Sequence, residues 1–408
     1  MRYNSVMEKI STAIIGGGAS GLFLANQLNG RGKTVLFERG DRLGKKLSAT
    51  GNGQGNISNL FVEDGGYFSV CNQADNRAMN IVREFGQGRL VSFFRELGVL
   101  LFADERGRIY PASRQASALT DALRFSLQNK GLETKLSTRV TALEQAKDGF
   151  ILTAEVGAEK KIERFFAEKV VVCAGGKAAK NFGTDGSAYA LVEAFGHTVT
   201  PLYPSLVQLK TDTAHTKSLK GIRINDALLT AVYGKEKTSL RGDLIFTDYG
   251  VSGDAVFRIS AFIVDKISGG VTLFADFLPE VTETDIYETL REKANRYPDL
   301  PKNELLFGIV NNQVGRAIMK RAENDLFQAA KLTKNFSLSV TGSLGFDYAQ
   351  VTKGGIPLQE VDENLQSRFA KGLYFAGEIL DTDGECGGFN LQWAFSSACA
   401  VAKALNEE

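Results

Sequence analysis

Thr12-Ala13-Ile14-Ile15-Gly16-Gly17-Gly18-Ala19-Ser20-Gly21 places glycines at GxGxxG spacing, after an apolar run and before residues of helical periodicity. The chemistry this pattern suits is dinucleotide binding. Gly16 permits a tight turn, Gly18 lets backbone approach a pyrophosphate, and Gly21 lets helix pack closely on strand. A helix opening at Ala19 and Ser20 turns unpaired N–H groups and a positive dipole end toward phosphate. Glu38 ends the next apolar stretch, Thr34 to Glu38, about 20 residues on, where a carboxylate can accept adenosine ribose hydroxyls; Arg39 follows it. This fingerprint alone does not separate NAD from FAD.

A second glycine segment stands near the other end of the chain. Gly372-Leu373-Tyr374-Phe375-Ala376-Gly377-Glu378 reads as a strand that ends on an acid, where a ribityl chain needs a hydroxyl acceptor. Gly387-Gly388-Phe389-Asn390-Leu391 then opens a final helix. Its N-terminus is suited to the pyrimidine edge of an isoalloxazine, where reduction places negative charge. The two segments together point to FAD, with its adenosine end on the first and its ring on the second. The remaining expected cofactor residues lie between them. Lys45 and Lys46 are either neutralising charges for the pyrophosphate or solvated surface lysines. Gly53 and Asn56 belong to a loop expected to line the flavin, Val140 to a strand, and Ala174 and Gly175 to a glycine turn.

Candidate catalytic side chains are fewer. Arg114 follows a Tyr-Pro turn and can orient a carbonyl or carboxylate, or serve in a structural salt bridge. Tyr249 is a candidate proton donor, because enone reduction needs hydride at one carbon and a proton at the next; core packing is the competing role. Cys386 lies in the segment expected near the flavin, but no cysteine at useful spacing partners it. His197 and His215 show no triad-like setting in the sequence, which disfavours hydrolase chemistry. With two histidines and no CxxC pair among four cysteines, no metal site is expected. Trp393 reads as a packing residue.

These residues need elements to hold them. Ser11 to Ile15, a helix from Gly21 to Leu28, and Thr34 to Glu38 form a right-handed β-α-β unit. Lys45 to Asn59 reads as an irregular loop. Ala78 to Leu97 and Ser117 to Gln128 have helical periodicity. Thr138 to Leu143, Phe150 to Ala154 and Lys161 to Phe166 read as a meander, and Lys169 to Gly176 as a further strand entering a turn. The fold class expected is α/β: a split Rossmann-like FAD domain, 1–195 and 345–408, with an inserted β-barrel, 196–281 and 333–344, and a helical subdomain, 282–332. A length of 408 residues suits two or three domains. The polar start, Met1 to Lys9, and the glycine-broken apolar run after it do not make a signal peptide. No run of about 18 apolar residues suggests a membrane span. The expectation is a cytoplasmic protein acting on a small molecule, and a net charge of +1 disfavours a nucleic-acid partner.

The chain resembles the bacterial three-domain flavoproteins that include aminoacetone oxidases and 3-dehydro-bile acid reductases. The matching stretches are Gly16 to Gly21, Leu43 to Leu47, Gly51 to Asn59, Gly107 to Arg114, Ala174-Gly175-Gly176, Gly250 to Gly253, and Gly377-Glu378 through Asn390 to Ala394. The resemblance implies a split FAD domain, a barrel insertion and a helical subdomain. The chain departs from the family pattern at three places. Gln54-Gly55 stands where Arg-Cys is usual, Asp248 where His is frequent, and Asp254 where Pro is frequent. The function expected is an FAD-dependent reductase that takes hydride from transiently bound NADH or NADPH and passes it to an unsaturated carbonyl compound, an enone for which a steroid or bile-acid-like molecule is one candidate. The alternatives are an oxygen-using oxidase of a small amine and a non-catalytic FAD-binding protein.

Overall fold

Ile10, Ala13, Ile14 and Ile15 are all buried, as in a strand covered on both faces. In the computed structural model, which describes residues 7–71, 76–130 and 132–407, they form β1 (Lys9–Ile15). Part of the polar start at Met1 to Lys9 lies outside the described residues. β1 runs into α1 (Ala19–Gln27), whose Leu22, Phe23, Leu24 and Ala25 have no exposed surface. β2 (Thr34–Phe37) returns parallel to β1. Three short strands follow: β3 (Ser58–Asn59), β4 (Leu101–Ala103) and β5 (Arg108–Pro111). They form an antiparallel sheet in the order β3-β5-β4. β6 (Glu133–Lys135), β7 (Thr138–Ala146), β8 (Gly149–Val156) and β9 (Lys161–Val172) complete the first stretch. After the insertion come β10 (Leu373–Phe375) and α2 (Phe389–Glu407).

The main sheet runs β6-β2-β1-β9-β8-β7, with β10 paired to β9. The expected separate strands at Lys161 to Phe166 and Lys169 to Gly176 are one strand, β9. Its first half pairs antiparallel with β8 and its last three residues pair parallel with β10. β1 runs along its other edge from Phe166 to Val172, so the ladder never breaks. Two other expectations also change. Ala78 to Leu97 is two helices, Arg77–Glu84 and Gln87–Glu96, separated at Phe85 and Gly86. The loop from Lys45 to Asn59 is partly regular, with a helical turn at Lys45–Ser48, a 3-10 turn at Thr50–Gly53, and β3.

The chain divides into two units, Met1–Leu202 with Val351–Glu408, and Tyr203–Gln350. In the second, Leu209–Thr211, Arg223–Tyr233, Glu236–Phe246, Gly250–Ser252, Val271–Asp276 and Phe336–Ser343 close into a barrel. Val271, Leu273 and Ala275 alternate inward, the period-2 pattern of a strand with one face in a core. Glu283–Arg296, Asn312–Arg321 and Leu326–Lys334 are helices, each begun by a side chain that accepts backbone N–H groups: Thr282, Asn311 and Asp325. The helix Asp254–Ile263 was not expected. Its buried Ala255, Val256, Ile259 and Ile263 repeat at helical spacing, but over only ten residues between strands. Among the described residues, no helix is long and apolar enough to cross a membrane.

Candidate cofactor and active site

The three fingerprint glycines stand in different surroundings. A Cβ on Gly16, at φ +106°, would lie 2.6 Å from the Cys173 carbonyl oxygen. One on Gly21 would lie 1.9 Å from the Gly16 carbonyl oxygen. These two positions need glycine because chain packs against chain. Gly18 is different: its φ is −77°, and a Cβ there would have no atom within 4 Å. Gly18 caps the N-terminus of α1 without a side-chain hydrogen bond, and no acid stands in the first helical turn. Open space before an uncapped, cation-like helix end fits a pyrophosphate, by both shape and charge. Ala19 and Ser20 begin that turn.

Glu38 sits at the base of the loop. Its Oε2 accepts the Gly17 N–H at 2.8 Å and its Oε1 the Gly40 N–H at 2.6 Å. Each carboxylate oxygen retains a second acceptor site, which suits ribose hydroxyls. Arg39 is exposed and turns to Asp185 at 2.8 Å. Val140 is buried in β7 beside a register shift between Val140 and Ala142.

The C-terminal segment closes onto the N-terminal one. Ala376 donates its N–H to Val172 on β9, and a Cβ on Gly377 (φ +81°) would lie 2.7 Å from Ser20 Oγ. α2 fixes Gly377 from the other side: Ser397 Oγ accepts its N–H at 2.9 Å, and Trp393 Nε1 donates to its carbonyl at 3.2 Å. Trp393 therefore positions the glycine turn as well as packing. Ser397 and Trp393 are one helical turn apart, the one sequence signal that they share a face. Glu378 is held through both oxygens. Lys46 Nζ donates to Oε2 at 2.8 Å, and the Thr352 N–H donates to Oε1 at 2.8 Å. Thr352 Oγ1 in turn accepts the N–H groups of Lys177 and Ala178, tying down the turn that follows Ala174 and Gly175. Lys45 pairs with Asp41 at 2.5 Å, its ammonium beside Gly40. Thr352 carried no recognisable motif.

At the expected ring end, Gly388 lies so close to β3 that a Cβ would meet the Ser58 carbonyl oxygen at 2.1 Å. Asn59 Nδ2 donates to the Gly387 carbonyl at 3.0 Å. Asn390 exchanges two hydrogen bonds with the Gly384 backbone, and Leu391 beside it is half-buried. Asn56 Nδ2 donates to the carbonyls of Ser58 and Ile109, bracing the flavin loop. Gly51, Asn52 and Gly53 take φ of 58°, 54° and 82°, a left-handed turn that explains the Gly-Asn-Gly sequence. Gly53 has open space on its Cβ side.

Arg114 lies in the first unit, half-buried, just past β5. Tyr249 lies in the second, half-buried in the turn before Gly250–Ser252. The reading of His197 needs correction. Its Nδ1 is 2.9 Å from Glu360 Oε2, and its Nε2 is 2.7 Å from Ser367 Oγ, a triad-like arrangement after all. Sequence could not reveal it because the partners lie more than 160 residues away. The arrangement is a structural clamp. Ser367 Oγ accepts N–H groups from Phe369 and Ala370, and the imidazole is wholly buried against Phe369 and Phe375. Burial lowers the His197 pKa despite Glu360. Burial also pushes the Cys173 thiol up to about 12. Among the described residues, no group of three or more His, Cys, Asp or Glu side chains is placed to hold a metal ion.

The fold and this grip define a Rossmann-type flavin-dependent oxidoreductase. The family model described as HI0933-like protein Rossmann domain matches residues 10–404, and the chain belongs to that family. It is 34% identical to the 3-dehydro-bile acid delta(4,6)-reductase of Clostridium scindens, over 97% of this chain and 98% of that one. It is 28% identical to the ribosomal RNA dihydrouridine synthase of Escherichia coli, over 98% of each. Among solved structures, the 3-ketosteroid-delta4-(5alpha)-dehydrogenase of Rhodococcus jostii matches with a TM-score of 0.53 at 14% identity. The match covers 98% of this chain and 99% of that one, a likeness of fold.

Proposed function

We propose that the protein reduces a carbon–carbon double bond conjugated to a carbonyl, with NADH or NADPH as the hydride source. The observation that carries this reading is the joined grip, Gly377 against Ser20 and Lys46 on Glu378, which suits one elongated flavin dinucleotide. Bound FAD supplies the two-electron hydride chemistry. The chain supplies the rest: Gly16, Gly18, Ala19, Ser20 and Gly21 for the pyrophosphate, Glu38 for the ribose, and Glu378 for the ribityl chain. The Gly387-Gly388 turn and the start of α2 serve the ring edge. Arg114 orients the substrate, and the carbon next to the carbonyl takes up the proton. In balance, NAD(P)H, a proton and the unsaturated carbonyl compound give NAD(P)⁺ and the saturated one.

The relatives support the reaction class more firmly than the substrate. One is named for reducing a bile-acid ring system. The other is named for making dihydrouridine, uridine whose ring double bond, conjugated to a carbonyl, has been reduced. A small steroid-like enone is favoured here, because the bile-acid reductase shares more identity and the chain carries a net charge of only +1. A ribosomal RNA substrate is the second reading, carried by the second relative.

The test is anaerobic mixing of the flavin-loaded protein with NADH or NADPH. Loss of flavin absorbance within seconds supports the reductase. Bleaching by a small amine and by neither nicotinamide makes the protein an oxidase. Bleaching by no donor returns it to a binding protein.

A further inference from the structure

Two arginines flank the ring of Tyr110, and they are paired differently. Arg108 reaches Asp104 through Nε at 2.8 Å and through Nη2 at 2.7 Å. Burial would raise the Asp104 pKa, but the hydrogen bonds from Arg108 outweigh it and hold the carboxyl below its ordinary range. Arg114 has no carboxylate partner among the described residues. Its guanidinium lies over two rings instead, 4.0 Å from the centre of Tyr110 and 4.5 Å from that of Phe102. The backbone of Arg114 has φ +53°, a left-handed conformation that a side-chain-bearing residue adopts at a cost.

The sheet explains the placement. Phe102 pairs with Tyr110 across β4 and β5, and Arg108 pairs with Asn59 across β5 and β3. Cross-strand partners and residues two apart share a face. Phe102, Tyr110, Arg108 and Asn59 therefore form one row. Its far end reaches the glycine turn before α2: Asn59 Nδ2 donates to the Gly387 carbonyl, and Arg108 carbons lie 3.7 and 3.8 Å from where a Gly387 Cβ would be. A row that begins beside the expected ring site ends at a stacked arginine without a counter-charge. A guanidinium carries five N–H donors, so the hydrogen bond from Arg114 to the Tyr110 side chain leaves others for a planar anion.

The geometry points to Arg114 as the residue that selects a substrate bearing a carboxylate, by bidentate contact with a group remote from the reacting double bond. This rests on the reductase reading given above, and it commits that reading to an acid rather than a neutral enone.

The test compares a 3-oxo-4-ene steroid bearing a side-chain carboxylate with its methyl ester, in wild type, Arg114→Gln and Arg114→Lys. The wild type should show a KM about ten- to a hundredfold lower for the acid, as expected for a charged hydrogen-bonded contact. Arg114→Gln should erase that preference through KM rather than kcat, with FAD content unchanged, and Arg114→Lys should restore part of it. Equal KM values for acid and ester in the wild type would overturn the proposal, as would a preference that survives Arg114→Gln. A saturated steroid carboxylate, which cannot be reduced, keeps the two readings separable. Its binding, followed by perturbation of the flavin spectrum, should weaken in Arg114→Gln even if no enone is turned over. Binding that is the same in both proteins would refute the role of Arg114 alone.

Discussion

The ammonium of Lys46 lies 2.8 Å from Oε2 of Glu378, joining positions 332 residues apart, one from each half of the cofactor grip. Both side chains are about a fifth to a quarter exposed, so solvent screens the pair only in part. Lys46→Met leaves the carboxylate half-buried without its cation, at a cost of about 1–2 kcal/mol. We expect FAD affinity, measured by recovery of flavin fluorescence on release, to fall about tenfold. Lys46→Arg should retain most of it. An unchanged affinity in Lys46→Met would separate this pair from the cofactor.

Gly18 and Gly21 give opposite expectations. Gly18→Leu meets open space with an ordinary φ, so thermal stability should change by no more than about 0.5 kcal/mol while FAD retention is lost. Gly21→Ala drives a methyl to within 1.9 Å of the Gly16 carbonyl and should destabilise the first unit by about 3 kcal/mol or more. Calorimetry together with flavin stoichiometry distinguishes the two. A Gly18→Leu protein that keeps full FAD would contradict the placement of the pyrophosphate.

The contrast between these two glycines shows how much was readable from sequence. GxGxxG gave the β-α-β unit and the acid at Glu38, because glycine spacing and apolar runs are local signals. The same local logic found the C-terminal strand and final helix. It failed where partners are remote. Thr352 holding Glu378, Trp393 and Ser397 holding Gly377, and Glu360 and Ser367 flanking His197 are all set by tertiary contact. It failed again at β9, where one strand serves antiparallel and parallel neighbours in turn, and at the ten-residue helix Asp254–Ile263, too short to stand out between strands.

His197 makes stability depend on pH. Burial lowers its pKa in the folded protein below the unfolded value of about 6.5, so the folded state binds fewer protons there. Its contribution is present above that value and is lost as pH falls below it. Melting temperature should therefore drop as pH falls below about 6.5, and His197→Gln should flatten that dependence while lowering the melting temperature at neutral pH. A slope that is the same in both proteins would remove His197 as its cause.

Thiol reactivity should divide the cysteines. Cys71 is exposed, whereas burial pushes the thiols of Cys173 and Cys399 up to about 12. An alkylating reagent at neutral pH should modify Cys71 in the native protein and reach Cys173 and Cys399 only on unfolding, as read by peptide mass. Rapid native modification of Cys173 would show that the end of β9 opens.

The most direct measurement removes the nicotinamide from the question. Flavin-loaded protein is reduced by light under anaerobic conditions and then mixed with a 3-oxo-4-ene steroid acid. The account predicts return of the oxidised flavin spectrum within seconds, with one saturated steroid formed per flavin. A reduced flavin that ignores the enone yet reoxidises at once in air would contradict it.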